Sequence, residues 1–146
     1  MVDTLEPKPG FAFWVIGAVA LVWNLFGLML YVMQVSATPE QLAAAYTPEQ
    51  VELLLAVPAW ATSMTAIATT AGVLGCLLLL LRKRLAVPFF AVSLVALVLQ
   101  DLYTFVLADT LAVFGSQPLI IQVVVFVVAL LLLWYSRRAA ADRLLT

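Results

Sequence analysis

Apolar residues gather into four long blocks, Phe11 to Gln34, Ala59 to Leu81, Leu85 to Ala108 and Pro118 to Ser136, separated by short polar stretches. Each block is near the ~20 residues that a helix needs to cross about 30 Å of hydrocarbon. The blocks are continuous rather than alternating. Since a backbone in lipid must satisfy its own hydrogen bonds as a helix or a closed barrel, the pattern predicts four transmembrane helices.

The loop from Val35 to Pro58 carries a short repeat: Thr38-Pro39-Glu40-Gln41 returns as Thr47-Pro48-Glu49-Gln50. Each copy has Thr where an N-cap belongs, Pro at the first helical position and Gln where a capping box closes. Two short helices are therefore expected, the second from Pro48 to about Val57. Val51, Leu54 and Leu55 would share one side of it, and Glu49, Gln50 and Glu52 the other, as suits a helix lying on a membrane surface. Pro58 marks the turn into the second span. The expected fold is all-α: one membrane domain over residues 1–146, an integral four-helix bundle with short amphipathic helices in its first outer loop.

Composition agrees, because 66% of the residues are hydrophobic and 10% charged, which excludes an ordinary soluble domain. Charge placement then orients the bundle. Six of the seven basic residues fall in two places, Arg82-Lys83-Arg84 between the second and third blocks, and Arg137, Arg138 and Arg143 after the fourth. Both belong on the cytoplasmic side, which puts the N and C termini there too. The loops Val35 to Pro58 and Asp109 to Gln117 hold no Lys or Arg and face outward, and Glu40, Glu49 and Glu52 in the first form a candidate acidic mouth that would concentrate cations. The net charge of −1 reflects this segregation and points to no nucleic-acid partner. Lys8 and Val35-Ser36-Ala37 mimic the flanks of a secretory signal, but a run of more than twenty residues exceeds the ~7 to 15 of a signal core, so an uncleaved first helix is expected. Trp14, Tyr31, Trp60, Trp134 and Tyr135 sit where interfacial aromatics anchor span ends.

Small and polar residues mark the inner faces. Gly17, Ala20, Asn24, Gly27 and Tyr31 follow helical spacing in the first span, as do Thr62, Thr65, Thr69, Gly72 and Cys76 in the second. Helices in lipid associate through close packing of small residues and interhelical hydrogen bonds, so Gly17, Gly27, Gly72 and Gly75 are candidate packing positions. Helical rise places Asn24 and Thr69 roughly 18 to 20 Å above the cytoplasmic ends, Thr65 and Gln122 a little above 20 Å, and Gln100 and Asp101 near 24 Å. The six form a candidate polar layer to which every helix contributes. Asp101 is its most notable member, since an acid within a span is a functional-site hypothesis by default. Two other readings stand beside it: a third helix that ends near Tyr103 and leaves Gln100 and Asp101 at the outer interface, and a buried acid that only hydrogen-bonds helices together. No Lys or Arg lies within any span, so its expected partners are neutral: Asn24, Gln122 and a threonine of the second helix.

Absences limit the chemistry further. Without histidine there is no His-ligated metal and no Ser-His or Cys-His nucleophile pair. Cys76 alone forms neither an internal disulfide nor a redox pair, and Gly72-Val73-Leu74-Gly75 lies inside a span rather than in a phosphate-binding loop. The chain is not expected to be an enzyme, to take a cofactor or to hold a metal.

Trp23-Asn24-x-x-Gly27-x-x-x-Tyr31, Pro58-Ala59-Trp60 and the glycine pair ahead of Leu81-Arg82-Lys83-Arg84-Leu85-Ala86 resemble a group of small, uncharacterised bacterial four-span inner-membrane proteins, sometimes labelled sugar-transporter-like. The resemblance covers most of the chain and implies a multi-pass protein of a bacterial inner (cytoplasmic) membrane. It supplies no catalytic residue. The functional expectation is a non-enzymatic module that binds or scaffolds membrane lipid, another membrane protein or a second copy of itself. The alternative is an oligomeric minimal transporter or channel for a small solute or cation, built on the outer-half polar layer around Asp101.

Overall fold

The computed structural model describes residues 6–146. It is an all-α membrane bundle. Among the described residues four helices are long and apolar enough to cross a membrane: α1 (Phe11–Ser36), α4 (Ala59–Leu80), α5 (Ala86–Leu102), which a π-helical turn (Tyr103–Leu107) prolongs, and α7 (Gln117–Ala141). Between α1 and α4 lie α2 (Pro39–Ala45) and α3 (Pro48–Leu55), and α6 (Thr110–Phe114) precedes α7.

The two short helices start as their capping boxes dictate. Thr38 Oγ1 accepts from Gln41 N and Gln41 Oε1 accepts from Thr38 N, and Thr47 and Gln50 repeat both bonds. Glu40 and Glu49 fall in the first turns, where the helix dipole favours a negative charge. α3 ends at Leu55, two residues short of the expected Val57. Together with α6 these helices form a lid over one end of the bundle, and Tyr46 meets Phe114 edge to face across it.

At the opposite, basic end, α4 and α7 close with the same device. Arg82 and Arg143 adopt left-handed backbone (φ 58° each), Lys83 N donates to Leu78 O, and Leu144 N donates to Ala139 O, the six-to-one bond of a helix stop usually built on glycine. The segment 144–146 then lies along the α4–α5 turn. Thr146 N donates to Arg82 O (2.7 Å), Arg84 N to Thr146 O (2.9 Å) and Arg82 Nε to Leu144 O (2.8 Å). Leu145, 2% exposed, fills the core beside Phe13, Leu79, Ala86 and Ala139.

α1 packs on α4, α4 on α5 and α5 on α7, while α1 and α7 barely approach each other. The buried residues explain this arrangement. Those of α1 (Phe13, Gly17, Ala20) and of α7 (Leu132, Ser136, Ala139) all lie in the half nearer the basic end, where Phe13 also meets the Tyr135 ring. Those of α4 run its whole length, from Ala61 to Leu79. α1 and α7 therefore converge at the basic end and part toward the lid.

The glycines follow the same geometry. Gly17 is closed in by Leu80, Gly72 by Asn24 and Ser93, and Gly75 by the Phe90 ring, whereas a Cβ on Gly27 would meet nothing within 4 Å. Gly27 is not a packing glycine, because α7 has already moved away from α1 at its level. The third span reaches Leu107, within a residue of its expected end, but changes form on the way, and the fourth overruns its expected end. The α-helix of the third span gives way at Tyr103 to an i→i+5 turn closed by Ala108 N on Tyr103 O (2.8 Å). The fourth continues past Ser136 to Ala141, since Arg137, Arg138 and the alanines after them are good helix formers beyond the apolar run.

Candidate functional site

Two cavities are stacked along the inner faces of the helices. The lid-end cavity, about 420 Å³, receives Tyr31 and Gln34 from α1, Thr62 and Thr65 from α4, and Gln100, Tyr103 and Thr104 from the third span. Leu53, Leu54 and Val57 roof it, and Thr110 and Phe114 close its side. Its volume is that of a small-molecule site. None of its lining residues is charged.

One turn further toward the basic end is the second cavity, about 190 Å³, a fissure between the parted faces of α1 and α7. Phe26, Gly27 and Leu30 form its α1 lip and Ile121, Val125 and Val128 its α7 lip, while Asn24, Thr69 and Ser93 lie along its floor. Trp23, 40% exposed, stands at its margin. On α4 the two linings pass from Thr65 to Thr69, on the third span from Gln100 to Leu97, and on α1 from Tyr31 to Gly27. A chamber of mixed lining, richer in polar groups than the space below it, thus sits on an apolar slot between α1 and α7.

Hydrogen bonding divides the six residues of the polar layer. Gln122 Nε2 donates to Asp101 Oδ1 and to Gln100 Oε1 (3.3 Å). Gln100 Nε2 donates to Thr104 Oγ1 (3.1 Å), which itself donates to the Gln100 carbonyl (3.0 Å). This clasp joins α7 to the third span, with Gln100 belonging both to it and to the lid-end cavity. Asp101 is half-buried against α7 and lines neither cavity.

Asn24 lies elsewhere. Its Nδ2 donates to the Ala20 carbonyl (2.8 Å) and to Cys76 Sγ (3.4 Å), which pins α1 to α4. Thr65 and Thr69 return their hydroxyls to carbonyls of their own helix, Thr65 to Ala61 O (3.3 Å) and Thr69 to Thr65 O (2.9 Å), and each shows its remaining face to a cavity. Of the partners expected for Asp101 the structure supplies Gln122 alone. Glu40, Glu49 and Glu52 are exposed on the lid and line no part of the lid-end cavity.

The candidate residues read from the sequence leave out Gln34, Ser93, Tyr103 and Thr104, all of which line these cavities. Ser93 donates to the Ala68 carbonyl (2.7 Å), an interhelical bond on the floor of the fissure. Thr104 and Tyr103 reach the chamber from the π-helical turn, and such turns recur at functional sites. Spacing could have found Ser93, which shares a helix face with Ala86, Phe90 and Leu97. Nothing in the sequence announces the π-helical turn.

Among the described residues no three metal-ligating side chains stand together. No family model matches the chain, and neither a curated protein nor a solved structure is similar to it.

Proposed function

We propose that the protein is a non-enzymatic membrane module of a bacterial inner membrane that binds one lipid-like amphiphile. Its polar part would occupy the lid-end cavity, facing outward, and its chain would lie in the fissure between α1 and α7. One observation carries this reading: a chamber of mixed lining, richer in polar groups, and an apolar slot between α1 and α7 lie on successive turns of the same helices. A ligand already dissolved in the bilayer would reach the slot without crossing water. It would gain little from burying its chain, because lipid is as apolar as the slot, so selection falls to hydrogen bonds in the chamber. The transport alternative is built on the layer around Asp101, an acid that lines neither cavity, and also requires a path through the basic end, where Phe13, Cys76, Leu79, Phe90 and Leu145 are packed.

Gly27→Phe provides the test, because its side chain would enter the open slot without meeting another atom at the Cβ. The protein purified in mild detergent is expected to retain about one lipid by native mass spectrometry, and Gly27→Phe to lose it while unfolding at the same denaturant concentration. Equal retention by the two proteins would overturn the reading.

A further inference from the structure

We infer that the polar part of the ligand is uncharged, a head that offers and accepts hydrogen bonds through hydroxyl or amide groups. The inference rests on the amphiphile reading of the two cavities and specifies what the chamber selects.

The chamber presents hydroxyls from Thr62, Thr65 and Thr104, phenols from Tyr31 and Tyr103, and side-chain amides from Gln34 and Gln100. Thr65 and Thr104 have given their hydroxyl protons to the Ala61 and Gln100 carbonyls and are left to accept, while the other groups both donate and accept. A phosphate would instead call for Arg or Lys, or for backbone N–H groups at a helix start. Neither is offered. Every Lys and Arg of the chain belongs to the segment before α1, the α4–α5 turn or the last turns of α7 and beyond, so none lies at the lid end. Two helix starts border the chamber. At α4, Ala61 N and Thr62 N donate to the Pro58 carbonyl (3.1 and 3.2 Å). At the five-residue α6, which begins at Thr110, Ala112 N donates to the Asp109 carbonyl (3.1 Å) and Asp109 itself brings a negative charge. The charges that do stand at this end, Glu40, Glu49, Glu52, Asp101 and Asp109, are all negative and would repel an anion.

A cationic head fares no better inside the chamber. The glutamates stay on the outer surface of the lid, Asp109 between the lining residues Ala108 and Thr110 is exposed and outside the lining, and Asp101 faces Gln122 on α7. No carboxylate therefore reaches the lining to balance a positive charge removed from water. A neutral head avoids both costs and finds partners on three walls.

Three probes with identical chains separate these cases: dioleoylglycerol, dioleoylphosphatidate and dioleoyl-trimethylammonium-propane. Each is titrated into the full-length protein and into Gly27→Phe, and complexes are counted by native mass spectrometry. Only binding that Gly27→Phe abolishes is scored, which removes phosphatidate held by the arginines of the basic end. Dioleoylglycerol is expected to form the scored complex at least tenfold more tightly than either charged probe. Thr65→Val with Gln34→Leu should weaken it several-fold, and Gln34→Lys should admit phosphatidate. Scored binding of a charged probe as tight as that of dioleoylglycerol would overturn the inference and leave the amphiphile reading standing. No scored complex with any of the three would overturn the reading, and the inference with it.

Discussion

Gly72 and Gly27 occupy the two small-residue stripes, yet the same substitution should have opposite effects at them. A Cβ on Gly72 would run into Asn24 Oδ1 and lie 3.5 Å from Ser93 Oγ. Asn24 does not yield freely, because its Nδ2 is held by the Ala20 carbonyl and Cys76 Sγ at 2.8 and 3.4 Å. Forcing a methyl group into a filled core costs ~1–3 kcal/mol, and each displaced interhelical hydrogen bond adds about 0.6 kcal/mol in a bilayer. The better helix propensity of alanine offsets about 1 kcal/mol. Gly72→Ala should therefore destabilise the protein by about 1–3 kcal/mol, the overpacking range. At Gly27 only the propensity remains, so Gly27→Ala should be neutral or stabilise by up to ~1 kcal/mol. Reversible unfolding in mixed micelles of rising SDS fraction, followed by tryptophan fluorescence and circular dichroism, measures both. Asn24→Ala removes the obstacle, so in that background the Gly72→Ala penalty should shrink by at least ~1 kcal/mol, within the coupling range of residues in contact. Equal destabilisation by Gly27→Ala and Gly72→Ala would mean that α1 is packed at Gly27 and that the fissure does not exist. Additive effects of the Asn24 and Gly72 changes would mean that Asn24 is not what closes the space above Gly72.

Gln122→Leu leaves the Asp101 carboxyl without its donor and should cost about 1–3 kcal/mol, toward the lower end because Asp101 is only half-buried; Asp101→Asn in the same background should recover part of it, and no recovery would refute the pairing. Leu145→Ala empties a side chain that is 2% exposed and should cost ~2–5 kcal/mol, with faster tryptic cleavage at Arg82 and Arg84 as the segment 144–146 leaves the α4–α5 turn; a loss under ~1 kcal/mol would place Leu145 outside the core. Thr38→Ala and Thr47→Ala should each remove about 1 kcal/mol of local helix stability, seen as faster amide exchange in α2 or α3 with the four spans unchanged; uniform exchange across the whole chain would show that the lid is not a separate unit.

The spans were legible because bilayer thickness imposes their length, and the starts of α2 and α3 because a capping box is chemistry confined to four residues. Neither depends on the rest of the chain. The ends of α5 and α7 lacked such a signal: an i→i+5 turn has no residue signature, and at Arg137 the apolar pattern stops although the helix does not. The polar layer failed for a different reason. Rise along a helix gives the level of a side chain but not its direction, so Gln100, Asp101 and Gln122 met as their levels suggested while Asn24, at a similar depth, turned to Cys76. Direction is set by which helices pack together, and the parting of α1 from α7 is written in no single residue. Leu144 and Leu145 likewise look alike in the sequence, and only the left-handed Arg143 decides that Leu145 enters the core while Leu144 packs against its edge.

The order in which the spans pack repeats the order in which they occur: α4 rests on α1, α5 on α4 and α7 on α5. For a chain delivered to the membrane from its amino-terminal side, each newly inserted helix meets the surface it needs already in place. α1 is revisited only at the basic end, where Phe13 meets Tyr135 and shares a core with Leu132 and Leu145. Toward the lid, the seam between the first and the last of these four spans is thus a junction that biogenesis does not have to make, and parting it there dismantles no helix pair on which assembly relied.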